Sequence, residues 1–487
     1  MKYKILAQTN LDLNLENIKD LKALYEGGES LSKRLWKLNP HDYNDKQEIA
    51  LKKHKIAEES YFNYFALICN YYPGHLFSYP LVLQQNSRAM NGYYKNFSEN
   101  CNIIGTDFVD YERNALTCAL VGGRQISEIC IPDVQAENMQ DWENLGGGNL
   151  YLKSWEADEI IDWQEDDYGN LEWIKFFKKT IVKTSPYDDA KEKLQWTIID
   201  KNVKKVYELY IQVGAYANAD TDVTETYIQE HNLGFVPVID LWLTPGLHLG
   251  KHLKGPALSN MKGRAAQWWT LSKQAYSVPV IKTSKEIPES FDKNGIMVLP
   301  ADASFDWSNP PSEFIKSLSE WNSDTKDEML RVGSRLSYQS SGSSYALVRS
   351  AQARVEDKSE DHTIMKAYGA IIREHAQSIL SMISRIRKED IKWSVEGFEQ
   401  LEKLQLPDYV AIADLLARTD FSKLSQLGDT FEQQYKMRIT EFAFQDLDEK
   451  IKDQIRQEIK QYENKIVSAE NKPEIAVEEE DIGQDMS

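Results

Sequence analysis

The sequence predicts an α+β fold, and three observations carry that reading. Apolar residues recur at helical spacing from Leu15 to Tyr72. Short β-favouring runs separated by Asp, Asn and Gly cluster between Leu76 and Leu243, without helices alternating regularly between them. Beyond Gly255 come three long helical patterns. Clustered rather than alternating strands separate α+β from a parallel α/β sheet.

In chain order, Leu15 to Leu38 reads as helix with a break at Tyr25-Glu26-Gly27-Gly28, and Asp45 to Tyr72 as a second helical stretch ended by Pro73-Gly74. The strand candidates are Leu171 to Phe177, Leu194 to Ile199, Val206 to Val213 and Phe235 to Trp242, interrupted by one helix from Asp107 to Leu120. A helix then opens at Gly255, with Pro256 in its first turn, and stops before Pro279. About 20 residues at 1.5 Å each span roughly 30 Å.

Val278 to Lys282 and Gly295 to Leu299 flank a turn containing Asp292 and Asn294, which predicts a small β projection. Pro310-Pro311 opens the second long helix, whose Phe314, Leu318, Trp321, Thr325, Met329, Val332 and Leu336 recur at steps of four and three as one packed stripe. Ser337 to Tyr345 is too rich in Ser and Gly to build a core and reads as a mobile loop. A third long helix from Val348 to Arg387 carries Ile364, Tyr368, Ile371, Ile372, Ile379, Met382, Ile383 and Ile386 on its apolar side. Val395 to Gln461 reads as mostly helical, and Ser468 to Ser487, with Glu478-Glu479-Glu480-Asp481, as a disordered acidic tail.

Composition bounds the function. The chain of 487 residues is 41% hydrophobic and carries a formal net charge of -19, so it suits several packed regions in a soluble protein and excludes wholesale coating of nucleic acid. Cys69, Cys101, Cys118 and Cys130 form no C-x-x-C pair and read as reduced structural thiols. The start Met1-Lys2-Tyr3-Lys4 lacks the features of a secretory signal, and the most apolar window, near Tyr61 to Phe77, is broken by Asn63, Asn70, Pro73 and Gly74. The expectation is a protein made in a cytoplasm.

Tests for chemistry return little. Gly246-Leu247-His248-Leu249-Gly250-Lys251-His252 has one residue too few between its glycines, and His where a phosphate loop needs Ser or Thr. Gly27-Gly28 and Gly146-Gly147-Gly148 do not give dinucleotide spacing. His248 and His252 stand at i,i+4 but lack a carboxylate, and no Gly-x-Ser-x-Gly elbow occurs. Glu156, Asp158, Glu159, Asp162, Glu165, Asp166 and Asp167 crowd around Trp155 and Trp163 as carboxylates do in a sugar cleft, although a chain with 76 Asp and Glu produces such clusters by chance. Neither a cofactor nor a metal is expected.

The exception to the acidic texture is Leu241 to Lys285, which contains no Asp or Glu but carries Lys251, Lys254, Lys262, Arg264, Lys273, Lys282 and Lys285. Lys262, Trp269 and Lys273 are spaced by seven and four and share one helix face, with Arg264 and Leu271 opposite.

Helix, β excursion, helix, polar loop, long helix, all after an α+β region, is the element order of tailed-bacteriophage portal proteins, and several strings resemble a portal-like phage family. They are Leu24-Tyr25-Glu26-Gly27-Gly28, Asn70 to Pro80, Ala119-Leu120-Val121-Gly122-Gly123-Arg124, Trp155 to Trp163, Phe235-Val236-Pro237-Val238 and Ser350-Ala351-Gln352-Ala353-Arg354-Val355-Glu356. The resemblance covers residues 20 to 386.

It implies N-terminal helices and a wing over 1–250, a first stem helix over 251–278, a clip over 279–309, a second stem helix over 310–336, a tunnel loop over 337–347, a long wing helix over 348–387, a crown-like helical region over 388–467 and an acidic tail over 468–487. It further implies a non-enzymatic ring, usually a dodecamer, at one capsid vertex of the virion. Viral double-stranded DNA passes through it, and the terminase large subunit, major capsid and scaffolding proteins, and head-tail adaptor proteins dock on it. On this resemblance Lys262 and Lys273 are candidates for the channel face, and Ser340, Ser341, Gly342, Ser343, Ser344 and Tyr345 for the loop touching DNA. Lys282, Lys285 and Lys293 are candidates for the clip. Two other readings stand beside it: a virion or scaffold protein that does not enclose DNA, and a hydrolase using the carboxylates near Glu156 to Asp167.

Overall fold

The computed structural model describes residues 1–11, 13–39, 46–79, 81–86, 88–89, 92–133, 149–183, 185–187, 189–274, 278–282, 304–308, 312–334 and 351–398. All of these lie within the unit Met1–Leu401. Among them the fold is mixed α and β, as the sequence predicts.

The chain opens with a short helix α1 (Tyr3–Leu6), then α2 (Leu15–Glu26) and α3 (Gly28–Leu38), split at Gly27 where the sequence predicts the break. Asn14 caps α2 by accepting from the Asn17 N–H at 3.0 Å. The single stretch expected from Asp45 to Tyr72 is two helices, α4 (Gln47–Glu59) and α5 (Tyr64–Leu76). Asn63 explains the division: its side chain accepts from the Ala66 N–H at 2.8 Å and donates to the Tyr25 carbonyl at 2.6 Å, so it starts a new helix and ties it to the end of α2. Pro73 lies inside α5 rather than after it; it is buried with Tyr72 and Leu76, and that packing outweighs the lost backbone bond.

Strands β1 (Val82–Gln85) and β2 (Arg88–Ala89) precede α6 (Gly92–Glu99), a helix the sequence reading passed over, and α7 (Phe108–Gly122). Asp107 caps α7 by accepting from the Asp110 N–H at 2.6 Å. Next come β3 (Arg124–Cys130), β4 (Tyr151–Glu156), β5 (Ile160–Glu165), β6 (Leu171–Val182), β7 (Lys191–Asp200), β8 (Val203–Gln212), β9 (Thr224–Glu230) and β10 (Val238–Trp242). Strands β5 to β9 form a five-stranded antiparallel meander in sequence order, and β10, β3 and β4 a three-stranded sheet. The expected strand at Phe235 begins at Val238.

Period-two alternation gives the meander two buried faces. On one, Phe176 stacks on Trp155 of β4 with centroids 4.4 Å apart and planes 7° from parallel, in a cluster with Ile126, Ile174, Ile199 and Val238. On the other, Trp196 packs with Leu6, Leu194 and Tyr207, and the Tyr3 ring meets it edge-on at 5.7 Å, so the N-terminal turn covers the sheet. The two sheets are also joined by charge. Glu128 of β3, 1% exposed, pairs with Lys204 of β8 and accepts from the Trp155 indole N–H at 2.7 Å. Burial alone would raise the Glu128 pKa, but Lys204 and Lys153 outweigh it and hold the carboxyl below its ordinary value.

A second, larger core gathers α2, α3, α5, α6 and α7 with three long helices: α8 (Leu249–Gln274), α9 (Ser312–Ser334) and α10 (Ala351–Ile386). Tyr368, Ile372, Ile379 and Ile383 of α10 are buried as its spacing predicts. Between α8 and α9, strands β11 (Val278–Lys282) and β12 (Ser304–Ser308) pair antiparallel. β11 pairs with Ser304–Ser308, whose alternation of Ser, Phe, Asp, Trp and Ser is a period-two signal, while the expected strand from Gly295 to Leu299 lies outside the described residues. After α10, Val395 belongs to a strand, β13 (Trp393–Glu396), paired with β1, and not to the expected helix. The edge of β1 recruits these residues, which a local pattern does not foresee. Residues 399–467 of the expected crown-like region and the acidic tail lie outside the described residues, as does the helix start from Val348 to Ser350.

Cys69, Cys101, Cys118 and Cys130 are free thiols, and burial pushes the last three up to about 12. No helix among the described residues is long and apolar enough to cross a membrane.

Replacing Glu128 with Ala leaves the Lys204 ammonium buried without its partner. The expected loss is about 3 kcal/mol of unfolding free energy, measured by urea denaturation. The paired change Glu128→Leu with Lys204→Met is expected to recover most of it.

Candidate functional site

The site is the antiparallel pair α8 and α9. At 26 residues, α8 is about 39 Å long. It starts at Leu249, six residues before the expected Gly255, because the turn from Thr244, whose carbonyl accepts from the N–H groups of Leu247 at 2.9 Å and His248 at 3.1 Å, already winds the chain. Pro256 therefore sits inside the helix rather than in its first turn.

The base of α8 is pressed onto the end of α7. A Cβ at Gly250 would lie 2.3 Å from the Val121 carbonyl oxygen, so only glycine fits there. The same carbonyl accepts from His248 Nε2 at 3.0 Å, and the Pro245 carbonyl accepts from His252 Nε2 at 2.9 Å. Burial lowers the His248 pKa. Both histidines are backbone anchors, and no group of metal-ligating side chains occurs among the described residues.

Lys254 is anchored too. Its ammonium donates to Asp20 Oδ2 at 2.9 Å and to Asn17 Oδ1 at 2.6 Å, and Asp20 also accepts from Arg34 Nε at 2.7 Å. Asp20 is 4% exposed. Burial would raise its pKa, yet the hydrogen bonds from Lys254 and Arg34 override that and lower it.

Farther along, a buried polar ladder sets the register of the two helices. Asn260 Nδ2 donates to the Asn322 carbonyl at 3.2 Å and to Thr325 Oγ1 at 3.0 Å, and Asn322 Nδ2 donates to Gln267 Oε1 at 2.7 Å. Gly263 makes room, since a Cβ there would stand 2.4 Å from Asn322 Oδ1. At the level of the ladder's far end two tryptophans are open to solvent: Trp268 is 60% and Trp321 54% exposed. The stripe expected to be packed throughout is thus buried at Thr325 and Met329 and open at Trp321.

The candidate residues separate accordingly. Lys262 is exposed and Arg264 lies on the other side, its guanidinium 5.7 Å from the Tyr64 ring and 5.8 Å from Phe62, as the spacing predicts. Lys273 is in the last turn of α8 and Lys282 ends β11; their side chains lie outside the described residues. So do Lys285, Lys293, Ser340, Ser341, Gly342, Ser343, Ser344 and Tyr345.

The acidic cluster is occupied by lysines. Lys22 pairs with Glu156 at 2.7 Å and Asp158 at 3.1 Å, Lys175 with Asp162 at 3.1 Å and Lys178 with Glu159 at 3.3 Å. Asp166 closes a turn by accepting from the N–H groups of Tyr168 at 2.9 Å and Asn170 at 2.8 Å. Sequence reading also missed a Ser, His and Glu array. His375 Nδ1 is 2.8 Å from Glu112 Oε2, and His375 Nε2 is 3.4 Å from Ser127 Oγ. With Ser127 and Glu112 at 0% and His375 at 3% exposure no substrate reaches the hydroxyl, and the three tie α7, β3 and α10 together. Their separations of up to 263 residues leave no local signal.

No family model matches the chain, and no curated protein matches it. Solved structures do. The neck of an empty GTA particle computed with C6 symmetry is 10% identical, with a TM-score of 0.39 over 78% of this chain and 91% of that one. The neck of a native GTA particle computed with C12 symmetry is 10% identical, with a TM-score of 0.39 over 82% and 94%. A virion of a native gene transfer agent (GTA) particle is 9% identical, with a TM-score of 0.37 over 84% and 95%. All three are parts of gene transfer agent particles.

Gly250→Ala forces α8 away from a backbone atom that cannot yield cheaply. A loss of about 1–3 kcal/mol is expected from thermal unfolding. Asp20→Asn tests the base electrostatically. Because the Asp20 carboxyl titrates below its ordinary 3.8, its stabilisation is complete above that pH and is lost as pH falls through the lower folded value. Unfolding midpoints measured against pH should therefore fall less steeply below about pH 4 in Asp20→Asn than in the parent.

Proposed function

We propose that the chain is the subunit of a portal-type ring, a non-enzymatic conduit at one capsid vertex. Through it viral DNA enters and leaves, and on it the packaging motor and head-tail connector proteins dock. The observation carrying this reading is the unit α8, β11–β12, α9: a rod of two helices in fixed register, anchored at its base, with a β pair at its far end and a long helix, α10, returning to the same core. Copies of such a rod, set side by side around an axis, enclose a channel, and closed rotation is how identical subunits make one.

Charge supports the same reading. Among the described residues α8 has no acidic side chain in a chain of net charge -19, and Lys262 projects from it into solvent. Rotation turns one lysine into a ring of them. A tight basic lining would hold a duplex through many phosphate contacts, with steep salt dependence, whereas a few lysines in an acidic wall guide DNA without arresting it. In this reading Lys273 joins Lys262 at the channel, Ser340 to Tyr345 form the tunnel loop, and Lys282, Lys285 and Lys293 belong to the clip that meets the terminase and adaptor proteins. The ring is a dodecamer in the virion, alongside capsid and scaffolding proteins.

Native mass spectrometry and negative-stain microscopy of the purified chain are expected to show closed rings. A strict monomer at all concentrations and salts would exclude the reading. Lys262→Glu with Lys273→Glu should leave rings intact and reduce DNA packaged or retained in particles.

A further inference from the structure

We propose that neighbouring copies dock stem against stem, face to opposite face, with the Trp321, Asp324 and Glu328 stripe of α9 from one copy seated on the Arg264, Trp268 and Lys326 face of the next. The inference rests on the ring reading and names the surface that would close the ring.

The hairpin has two broad faces. On α9, Trp321, Asp324 and Glu328 are spaced by three and four and share a stripe, and all three are exposed. Trp321 stands beside Gly263, its Cδ1 3.2 Å from where a Cβ would be. Lys326, five residues on, points about 140° away from Trp321. Its ammonium lies 6.0 Å from the Tyr64 ring, and the Arg264 guanidinium lies 5.7 Å from the same ring. Arg264 and Lys326 therefore belong to one face, and Trp268 and Leu271 extend it at steps of four and three beyond Arg264. Phe62, 51% exposed, lies under Arg264 on this side.

The α9 stripe opens on a tryptophan and continues as two carboxylates, bordered by Lys262 of α8 and Arg331 of α9, whereas the opposite face is basic and aromatic. Within the protomer neither set finds its complement. Among the described residues no carboxylate pairs with Arg264 or Lys326, and no cation pairs with Asp324 or Glu328. Arg264 Nε is buried without a hydrogen-bond partner, and the guanidinium reaches only the Tyr64 hydroxyl, at 3.4 Å. Large aromatic side chains at 51–60% exposure mark a surface awaiting a partner.

Geometry selects a second copy as that partner. Rotation about an axis along the stem keeps every residue at its own level. The ladder places Asn322 beside Gly263, so Trp321 on one face is level with Arg264 on the other, and Asp324 and Glu328 bracket Lys326. Complementary groups at equal heights on opposite faces are what a heterologous, ring-closing contact requires. Trp321 then stacks between Arg264 and Trp268, and the two carboxylates meet the two cations.

The test uses the full chain and reads assembly by native mass spectrometry and light scattering. Asp324→Lys with Glu328→Lys should raise the concentration for half-assembly at least about tenfold. Arg264→Glu with Lys326→Glu should do the same, and combining all four changes should restore rings. Trp321→Ala should weaken assembly without altering the circular dichroism spectrum or melting temperature. Since Arg264 packs on Phe62 and Tyr64, Lys326→Glu alone serves where the double change fails to fold. Rings that persist unchanged in Asp324→Lys with Glu328→Lys overturn this interface while leaving the ring reading intact. A loss that the combined variant does not rescue also overturns it, and a monomeric parent overturns the ring itself.

Discussion

The arrangement depends on a register lock between two helices. Asn260, Asn322 and Thr325 are buried in the seam of α8 and α9, where an amide without a partner is expensive and one with a partner holds its place. Apolar seams tolerate sliding by a turn, since one methyl replaces another. A ladder of amide, hydroxyl and carbonyl does not, because a shift of even one residue separates Asn260 from Thr325 and drives Asn322 off the gap at Gly263. Asn322 Oδ1 remains without a protein partner, so the lock trades some stability for a single alignment. From that alignment follow the relative heights of Trp321, Arg264, Asp324 and Lys326.

The lock is useful only because the base of the rod is fixed. Gly250 against the Val121 carbonyl brings α8 and α7 into backbone contact, and Asp20 ties Lys254 to α2 and α3. Other lysines are held inside the fold in the same way. Lys22, Lys175, Lys204 and Lys254 each neutralise carboxylates inside the fold or between its layers. In the acid-free stretch Lys254 is tied to Asp20, while Lys251 and Lys262 are exposed. The positive character legible in the sequence is thus only partly available at the surface, and a field-based argument from residue counts would overstate it.

Much of the fold was legible because local physics writes it locally. The caps at Asn14 and Asp107, the break at Gly27 and the stripe from Tyr368 to Ile383 are short-range signals, and the structure follows them. The misreadings share a cause. The local pattern ends a helix at Pro73 and puts Pro256 in a first turn, whereas both lie inside helices, where a proline removes one bond that tertiary packing outweighs. Val395 reads as helix until the β1 edge, more than three hundred residues earlier, recruits it. Lys254 could not be separated from Lys262 by sequence, since the partner that distinguishes them, Asp20, is 234 residues away. The Ser127, His375 and Glu112 array was equally invisible, and its burial shows why a constellation of reactive types is no site without access.

The pattern of α9 makes the last step. A helix meant for solvent at its distal end would carry polar residues on all sides there, yet its apolar stripe continues past Thr325 through an exposed Trp321 to Leu318. Exposed tryptophan is tolerated in a monomer as a single accident, but here Trp268 and Trp321 occupy opposite faces of one rod at neighbouring levels. The acidic stripe on one face of the rod and the cations on the other, each beside an exposed tryptophan, cannot satisfy each other inside one molecule, because the rod stands between them. They can do so between molecules, and a rigid register makes the contact repeat identically from copy to copy. Rigidity of the seam and openness of the faces are therefore parts of one constraint: the first fixes where the second must meet.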